Sequence, residues 1–406
     1  LGVDHGLLAA LAGPAVVHFC GHRINTARFT TTRERGIAER IDGAVGTLQI
    51  GFAYGSLASG ADILWAEAIL AAGGEVHVVL PFARDEFVAW SVRPAGAGWV
   101  TRFDRCLEAA ASVRYATDDA FLGDDVLFRY GSELAMGLAL LRARYLDAEV
   151  RQLTVWDGGT AEGAAGTAID VATWCRGGRP VTIVSPDPDP DPGSDADPEA
   201  DADAIAADGP AVDGPAETAA RPHVGDSRPA RVVRALLFGD VRGFSTLTDE
   251  QTPVFSERFL GALADVLAAH KHDVWHRNTW GDAVYVVLSD AVCAAACALE
   301  LQTAVAAIDL PSVGLPSHLA LRLGGHLGPV FPIHDPIRDA GAFMGSHVSR
   351  TARIEPVTPP GAVYVTEPFA AALVLAGSDR FTCDYVGHMP LAKDYGRLRM
   401  YRLRYA

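Results

Sequence analysis

The chain is poor in the features that would place it outside a reducing, aqueous compartment. Its 406 residues include six cysteines and no Cys-x-x-Cys pair. Cys20, Cys106, Cys175, Cys293, Cys297 and Cys383 sit mostly in apolar surroundings, which argues for buried thiols and against a disulfide framework. Cys293 and Cys297 fall on one helical face and read as core packing, not as a metal site. No apolar run reaches the roughly eighteen to twenty uncharged residues that a bilayer crossing needs, and the opening residues show no signal-peptide pattern. A soluble, cytoplasmic protein is expected. Basic patches are also lacking: the formal net charge is −16, and twelve acids against the single Arg221 fall between Asp187 and Asp226. The folded parts are then only mildly acidic, which offers no nucleic-acid grip.

That acidic stretch repeats Asp-Pro and Asp-Ala with almost no large apolar residues, a composition that cannot bury enough surface to fold. It predicts a disordered linker over residues 186–229, between an N-terminal domain at 1–185 and a C-terminal domain at 230–406. The N-terminal part alternates strands (Ala15 to Cys20, Thr47 to Tyr54, Glu75 to Leu80, Ser112 to Tyr115, Gln152 to Trp156, Pro180 to Val184) with helices (Arg33 to Asp42, Ala61 to Ala72, Val100 to Ala110, Gly131 to Leu146). Such alternation predicts an α/β doubly wound parallel sheet with ligands beyond the carboxyl ends of its strands. Three small-residue turns fall at that edge, giving Gly21, His22, Gly55, Ser59, Gly60 and Gly131 as a candidate ligand site. Tight strand-to-helix turns would account for the same glycines.

The C-terminal part carries the sharper chemistry. An apolar run from Arg234 ends on Asp240, and Gly243, Phe244 and Ser245 follow at a helix entrance, where main-chain N–H groups suit a phosphate. Residues Arg277 to Asp282, between the runs Asp273 to His276 and Ala283 to Leu288, read as a tight hairpin with Asp282 at its turn. If these strands are neighbours, Asp240 and Asp282 can share two divalent cations, Mg²⁺ or Mn²⁺, since hard cations prefer carboxylate oxygen.

Phe238 to Leu247, Trp280-Gly281-Asp282, Leu321 to Val330, Gly345 to Arg353 and Pro390 to Asp394 together resemble the class III nucleotidyl cyclases, in the family's order. The resemblance implies an α+β ferredoxin-like core with helices on one face of its sheet, a homodimer with two equivalent composite sites, and attack of a ribose 3′ hydroxyl on the α-phosphorus with release of pyrophosphate. It implies metal binding by Asp240 and Asp282, a transition-state role for Arg353 across the interface, and contact of Lys393 with terminal phosphates. Ser349 stands where an asparagine is usual. At the positions that pair with a purine edge stand Asn278 and Ala342. Asn278 can donate and accept at once, as uracil or cytosine requires, and Trp280 would favour a smaller ring. These departures are similar to the pyrimidine cyclases of anti-phage signalling (Pycsar), which implies UTP, ahead of CTP, as substrate. A purine cyclase with an unusual pocket is the alternative enzyme, and a degenerate nucleotide-binding or dimerisation module the alternative from another class. Over residues 14 to 185, Gly21-His22-Arg23, Ser59 to Leu64 and Leu80-Pro81-Phe82 resemble SLOG or TIR-like Rossmannoid domains, which implies an unknown nucleotide-like ligand or protein signal.

Overall fold

The computed structural model describes residues 13–25, 28–161, 163–187 and 230–406. The chain divides into two compact units, one up to Pro210 and one from Ala211. The predicted linker lies outside the described residues apart from its first two positions.

The N-terminal unit holds strands β1 Ala15–Gly21, β2 Ile50–Gly55, β3 Glu75–Leu80, β4 Ser112–Tyr115, β5 Val150–Val155 and β6 Val181–Val184. They form one sheet in the order β4-β3-β2-β1-β5-β6, parallel throughout. Its helices are α1 Glu34–Gly46, α2 Ala61–Ala71, α3 Arg84–Ser91, α4 Ala97–Ala109, α5 Val126–Leu146 and α6 Thr167–Cys175. Side-chain alternation along β1 shows why the sheet is covered twice. Val17 and Phe19 enter a core with Ile37 of α1, Ile63 of α2 and Phe103 of α4, whereas His18 points the other way and stacks on Trp174 of α6 at 5.9 Å. Two helices, α3 and α6, were not anticipated from the sequence. Thr47 caps α1 and does not begin β2, and Gly131 lies inside α5, not in the turn before it.

The C-terminal unit is built on β7 Val232–Arg242, β8 Val274–Trp280, β9 Ala283–Leu288, β10 Ala320–Asp335, β12 Val363–Thr366, β13 Phe381–Pro390 and β14 Arg397–Tyr405, in the order β13-β14-β12-β10-β7-β9-β8, with β11 Ala340–Met344 paired to the far end of β10. The central pair β7 and β10 runs antiparallel in unbroken register from Ala320↔Arg242 to Val330↔Val232. Leu319 to His326 and Val330 to Ile333, which read as two strands in sequence, therefore belong to one sixteen-residue strand, β10, apart from Leu319 just before it. The helical run after β7 comprises Gln251–Val254, Phe255–Leu260 in π geometry and Gly261–Ala269, together α7. Helices α8 Ala291–Ala306, α9 Ser346–Thr351 and α10 Glu367–Leu375 complete the unit. Helices cover both faces of this sheet, not one face as the sequence implied. Leu237 shares the face of Gly325 with Phe369 of α10, while the adjacent Leu236 packs with Val348 of α9 on the opposite face. Among the described residues no helix is long and apolar enough to cross a membrane.

Candidate functional site

Antiparallel register delivers the two acids to one place. On β7, Gly239 faces Val284 of β9, so the residue two before Val284 comes level with the one two beyond Gly239. Asp282 accordingly accepts a hydrogen bond from the Val241 N–H and lies within hydrogen-bonding reach of the Asp240 carboxylate. The hairpin is tighter than the sequence suggests: β8 continues to Trp280 and only Gly281 and Asp282 form the turn. Gly281 supplies the left-handed conformation there, at φ +67°. Burial, and then the hydrogen bond and charge of Asp240, raise the Asp282 carboxyl above the ordinary carboxylate range.

Two residues that the sequence did not single out complete the cluster. Arg322 faces Asp240 across the β7–β10 ladder, and its Nη2 donates to Asp240 Oδ2 at 2.5 Å. The same nitrogen lies 2.8 Å from Glu355 Oε1, in an ion pair whose angles do not make a hydrogen bond, since that oxygen has no hydrogen-bond partner. Burial and the charge of Asp240, against the pull of Arg322, push Glu355 up to about 7. The signal for Arg322 was its place in a strand flanking the acid-bearing one, but only the register shows that it opposes Asp240.

The two carboxylates fit a divalent cation in donor type and in mutual repulsion. Among the described residues no group of three or more His, Cys, Asp or Glu side chains is arranged to hold a metal ion. The pair would thus supply part of a coordination shell, leaving water and substrate phosphates to complete it, as Mg²⁺ commonly accepts.

The remaining predicted residues are partly gathered. Gly243, at φ +90°, turns the chain from β7 into the short turn Phe244–Thr246, and a side chain there would meet His318 Cδ2 at 2.7 Å. Phe244 packs on Phe255 at 4.9 Å, and Ser245 is exposed. Arg353 follows α9, half-buried, with its Nε making no hydrogen bond among the described residues. Its carbonyl accepts the Ala392 N–H at 3.4 Å, which ties it to the turn where exposed Lys393 adopts φ +60°. Ser349 is exposed on α9. Asn278 lies on β8 opposite Tyr285. The strand bearing Ala342 comes alongside β8, because His276 bonds the Gly341 backbone and sits 6.4 Å from the Phe343 ring. Trp280 is 57% exposed yet stacks on Phe238 at 6.1 Å, so aromatic packing already accounts for part of its role.

In the N-terminal unit, the candidate residues separate. A cavity of about 460 Å³ opens at the carboxyl edge of the sheet and is lined by Gly21, His22 and Gly131, but not by Gly55, Ser59 or Gly60. Packing explains the glycines. A side chain at Gly60 would sit 2.5 Å from the Ile24 nitrogen, at Gly55 2.6 Å from Phe19, at Gly21 2.5 Å from Ala61 and at Gly131 3.0 Å from Pro81. Ser59 is buried and donates to the Ser91 carbonyl at 2.9 Å. His22 ties the end of β1 to the end of β5 through Asp157, 2.9 Å from its Nε2; burial lowers its pKa while Asp157 opposes that shift. The sequence missed Asp62 and Asp170, which both line the cavity.

Comparison with known proteins bears on the C-terminal unit. Residues 230–404 match the family model of the adenylate and guanylate cyclase catalytic domain. A putative adenylate cyclase 3 from Rhizobium meliloti (strain 1021) is 33% identical over 143 residues, 34% of this chain and 22% of that protein. The chain thus spans about a fifth of that relative's length. Among solved structures, the adenylyl cyclase CyaB from P. aeruginosa aligns with a TM-score of 0.39 at 17% identity, covering 44% of this chain and 96% of that one. The guanylyl cyclase Cya2 aligns with a TM-score of 0.35 at 23% identity over 43% of this chain and 93% of that one.

Proposed function

With a class III adenylate and guanylate cyclase catalytic domain in residues 230–404 as the premise, we propose that the protein converts a pyrimidine nucleoside triphosphate, UTP ahead of CTP, to its 3′,5′-cyclic monophosphate and pyrophosphate. The observation that carries the reading is the contact between Asp240 and Asp282, two carboxylates with no structural need to meet. They would hold the divalent cations, Mg²⁺ or Mn²⁺, which when bound lower the pKa of the attacking hydroxyl and screen the triphosphate.

The chain's own groups do the rest. Main-chain N–H groups at Gly243, Phe244 and Ser245 orient phosphate oxygens beside the acids. Arg353 offsets charge on the reacting phosphoryl group, acting across a homodimer interface on the site of the partner subunit. Lys393 meets the terminal phosphates, and Ser349 approaches the ribose through water. Asn278 reads the pyrimidine edge, with Ala342 leaving a purine's edge groups unpaired. A cytoplasmic second messenger of anti-phage defence, as in the Pycsar resemblance, is the corresponding setting.

One observation favours a second reading. Arg322 already compensates Asp240, as a domain that only binds nucleotide or dimerises would require. Incubating purified protein with each of the four nucleoside triphosphates and Mn²⁺, then identifying products by mass spectrometry, decides between them. Cyclic UMP or CMP supports the proposal, cyclic AMP or GMP transfers it to purines, and no product leaves the non-catalytic module.

A further inference from the structure

The cavity at the carboxyl edge of the N-terminal sheet carries chemistry that the cyclase reading does not use. Its volume of about 460 Å³ falls among pockets that take small molecules. The order in which strands are added reverses between β1 and β5, with β2 to β4 on one side of β1 and β5 and β6 on the other, and such a switch point leaves a crevice in open α/β sheets.

Three carboxyl groups line that crevice, of which Asp125 is exposed and two are withdrawn from solvent. Asp62, in the first turn of α2, is buried, and Asp170 of α6 is half-buried. Asp62 accepts the Ala58 N–H at 3.1 Å and the Gly21 N–H, and Asp170 accepts the Ser132 hydroxyl. These partners are dipoles, not charges. Among the described residues neither acid forms an ion pair; Arg23 and Arg129 act on them only through space. Burial pushes each to about 7, and the charge of Asp62 adds to the rise at Asp170. The arginines lining the cavity are already engaged. Arg23 Nη1 donates to the Trp90 carbonyl at 3.3 Å, and Arg28 lies 3.5 Å from Asp157 and donates to the Thr160 carbonyl at 3.2 Å.

A second, independent feature points to a ligand. Ser91 is 2% exposed and lines the cavity, and its Oγ has no hydrogen-bond partner. A buried hydroxyl left unpaired is costly and uncommon. Phe87 and Phe128 add aromatic surface to the wall, which suits a cation as well as an apolar stem.

Two other ligand chemistries meet these groups poorly. A metal ion would find no group of three protein ligands among the described residues, and it would have no substrate phosphates to complete its shell as the C-terminal site would. A nucleotide would bring phosphate against two acids, and the positive end of the α2 helix is already taken by Asp62. We propose that the cavity binds a small organic cation, a compound with a primary ammonium or guanidinium group that Asp62 and Asp170 hold together and Ser91 hydrogen-bonds.

The test uses the full chain and hydrogen exchange read by mass spectrometry, so that binding is located on peptides covering Ser56–Ala66 and Phe128–Met136. Putrescine and agmatine are the probes, with 1,4-butanediol as the neutral counterpart and UMP as the anionic one. Millimolar putrescine or agmatine should slow exchange in both peptides, while the diol and UMP should not. Asp62→Asn and Asp170→Asn should each weaken amine binding by about tenfold or more, as loss of a charge-assisted contact implies, and Ser91→Ala by less. Circular dichroism checks that the variants fold; the comparison of putrescine with the diol on the unaltered protein requires no variant. Equal protection by the diol, protection of these peptides by UMP, no effect of either amine, or amine binding unchanged in both Asn variants would overturn the proposal.

Discussion

Replacing Arg322 with glutamine would ask whether the acidic cluster of the C-terminal unit depends on a protein-borne counter-charge. Arg322 Nη2 is 2.5 Å from Asp240 and 2.8 Å from Glu355, and the three side chains are 24%, 28% and 11% exposed. Stripping one partner from a fully buried ion pair costs roughly 3–5 kcal/mol, whereas an exposed pair is worth about 0–1 kcal/mol. Exposure of about a quarter places this cluster between those limits. The expected loss is about 2–3 kcal/mol, equivalent to a fall of about 5–10 °C in Tm for a unit of this size. Adding Glu355→Gln should change stability little further, because Glu355, at about 7 even with Arg322 lowering it, takes up a proton once that charge is gone. Urea unfolding at neutral pH measures both, and Mn²⁺ should narrow the gap between Arg322→Gln and the unaltered protein by supplying the missing charge. A loss below about 0.5 kcal/mol, or a double variant less stable than Arg322→Gln, would refute the clamp.

Four further outcomes are expected. Asp240→Ala and Arg353→Ala should each abolish cyclase activity, and mixing the two should restore part of it; heterodimers that form without regaining turnover would count against a shared interface site. Asn278→Lys should depress pyrimidine use in a competition assay of triphosphates, and unchanged selectivity would remove Asn278 from base recognition. In the N-terminal unit, Asp62 and Asp170 take up protons near pH 7 when folded, against an ordinary value of 3.8. Between those values the folded state binds more protons than the unfolded one, so stability should fall as pH rises from about 4 to about 7 and level off above, with Asp62→Asn or Asp170→Asn flattening the slope in urea titrations. His347→Ala should cost about 2–4 kcal/mol in urea unfolding, because it leaves a void under α9 and removes the 2.7 Å partner of His326 Nε2.

Much of the architecture was written in short-range pattern. Alternation of apolar strands with amphipathic helices announced the parallel sheet, and Gly281 beside Asp282 announced a turn, because both signals depend on backbone preferences local to a few residues. The misreadings share a different cause. Gly328 and Pro329 look like a break, yet β10 passes through them. Gly131 looks like turn chemistry but is an interior helix residue pressed against Pro81. In both cases tertiary neighbours override a local propensity. For the turn glycines of the N-terminal unit the sequence left two reasons open, tight turns and ligand approach; the structure shows close packing at each, and only Gly21 and Gly131 also line the cavity.

By itself the sequence determined which groups exist to do chemistry: two acids at strand ends, an arginine and a lysine downstream, and a glycine where only positive φ turns the chain. Where those groups meet was decided by strand register, a long-range quantity that no local pattern encodes. A slip of one residue would send Asp240 to the opposite face from Asp282 and Arg322. Burial is equally non-local, and it alone distinguishes Asp62, held at about 7 inside the cavity, from the many acids of the chain that remain in water.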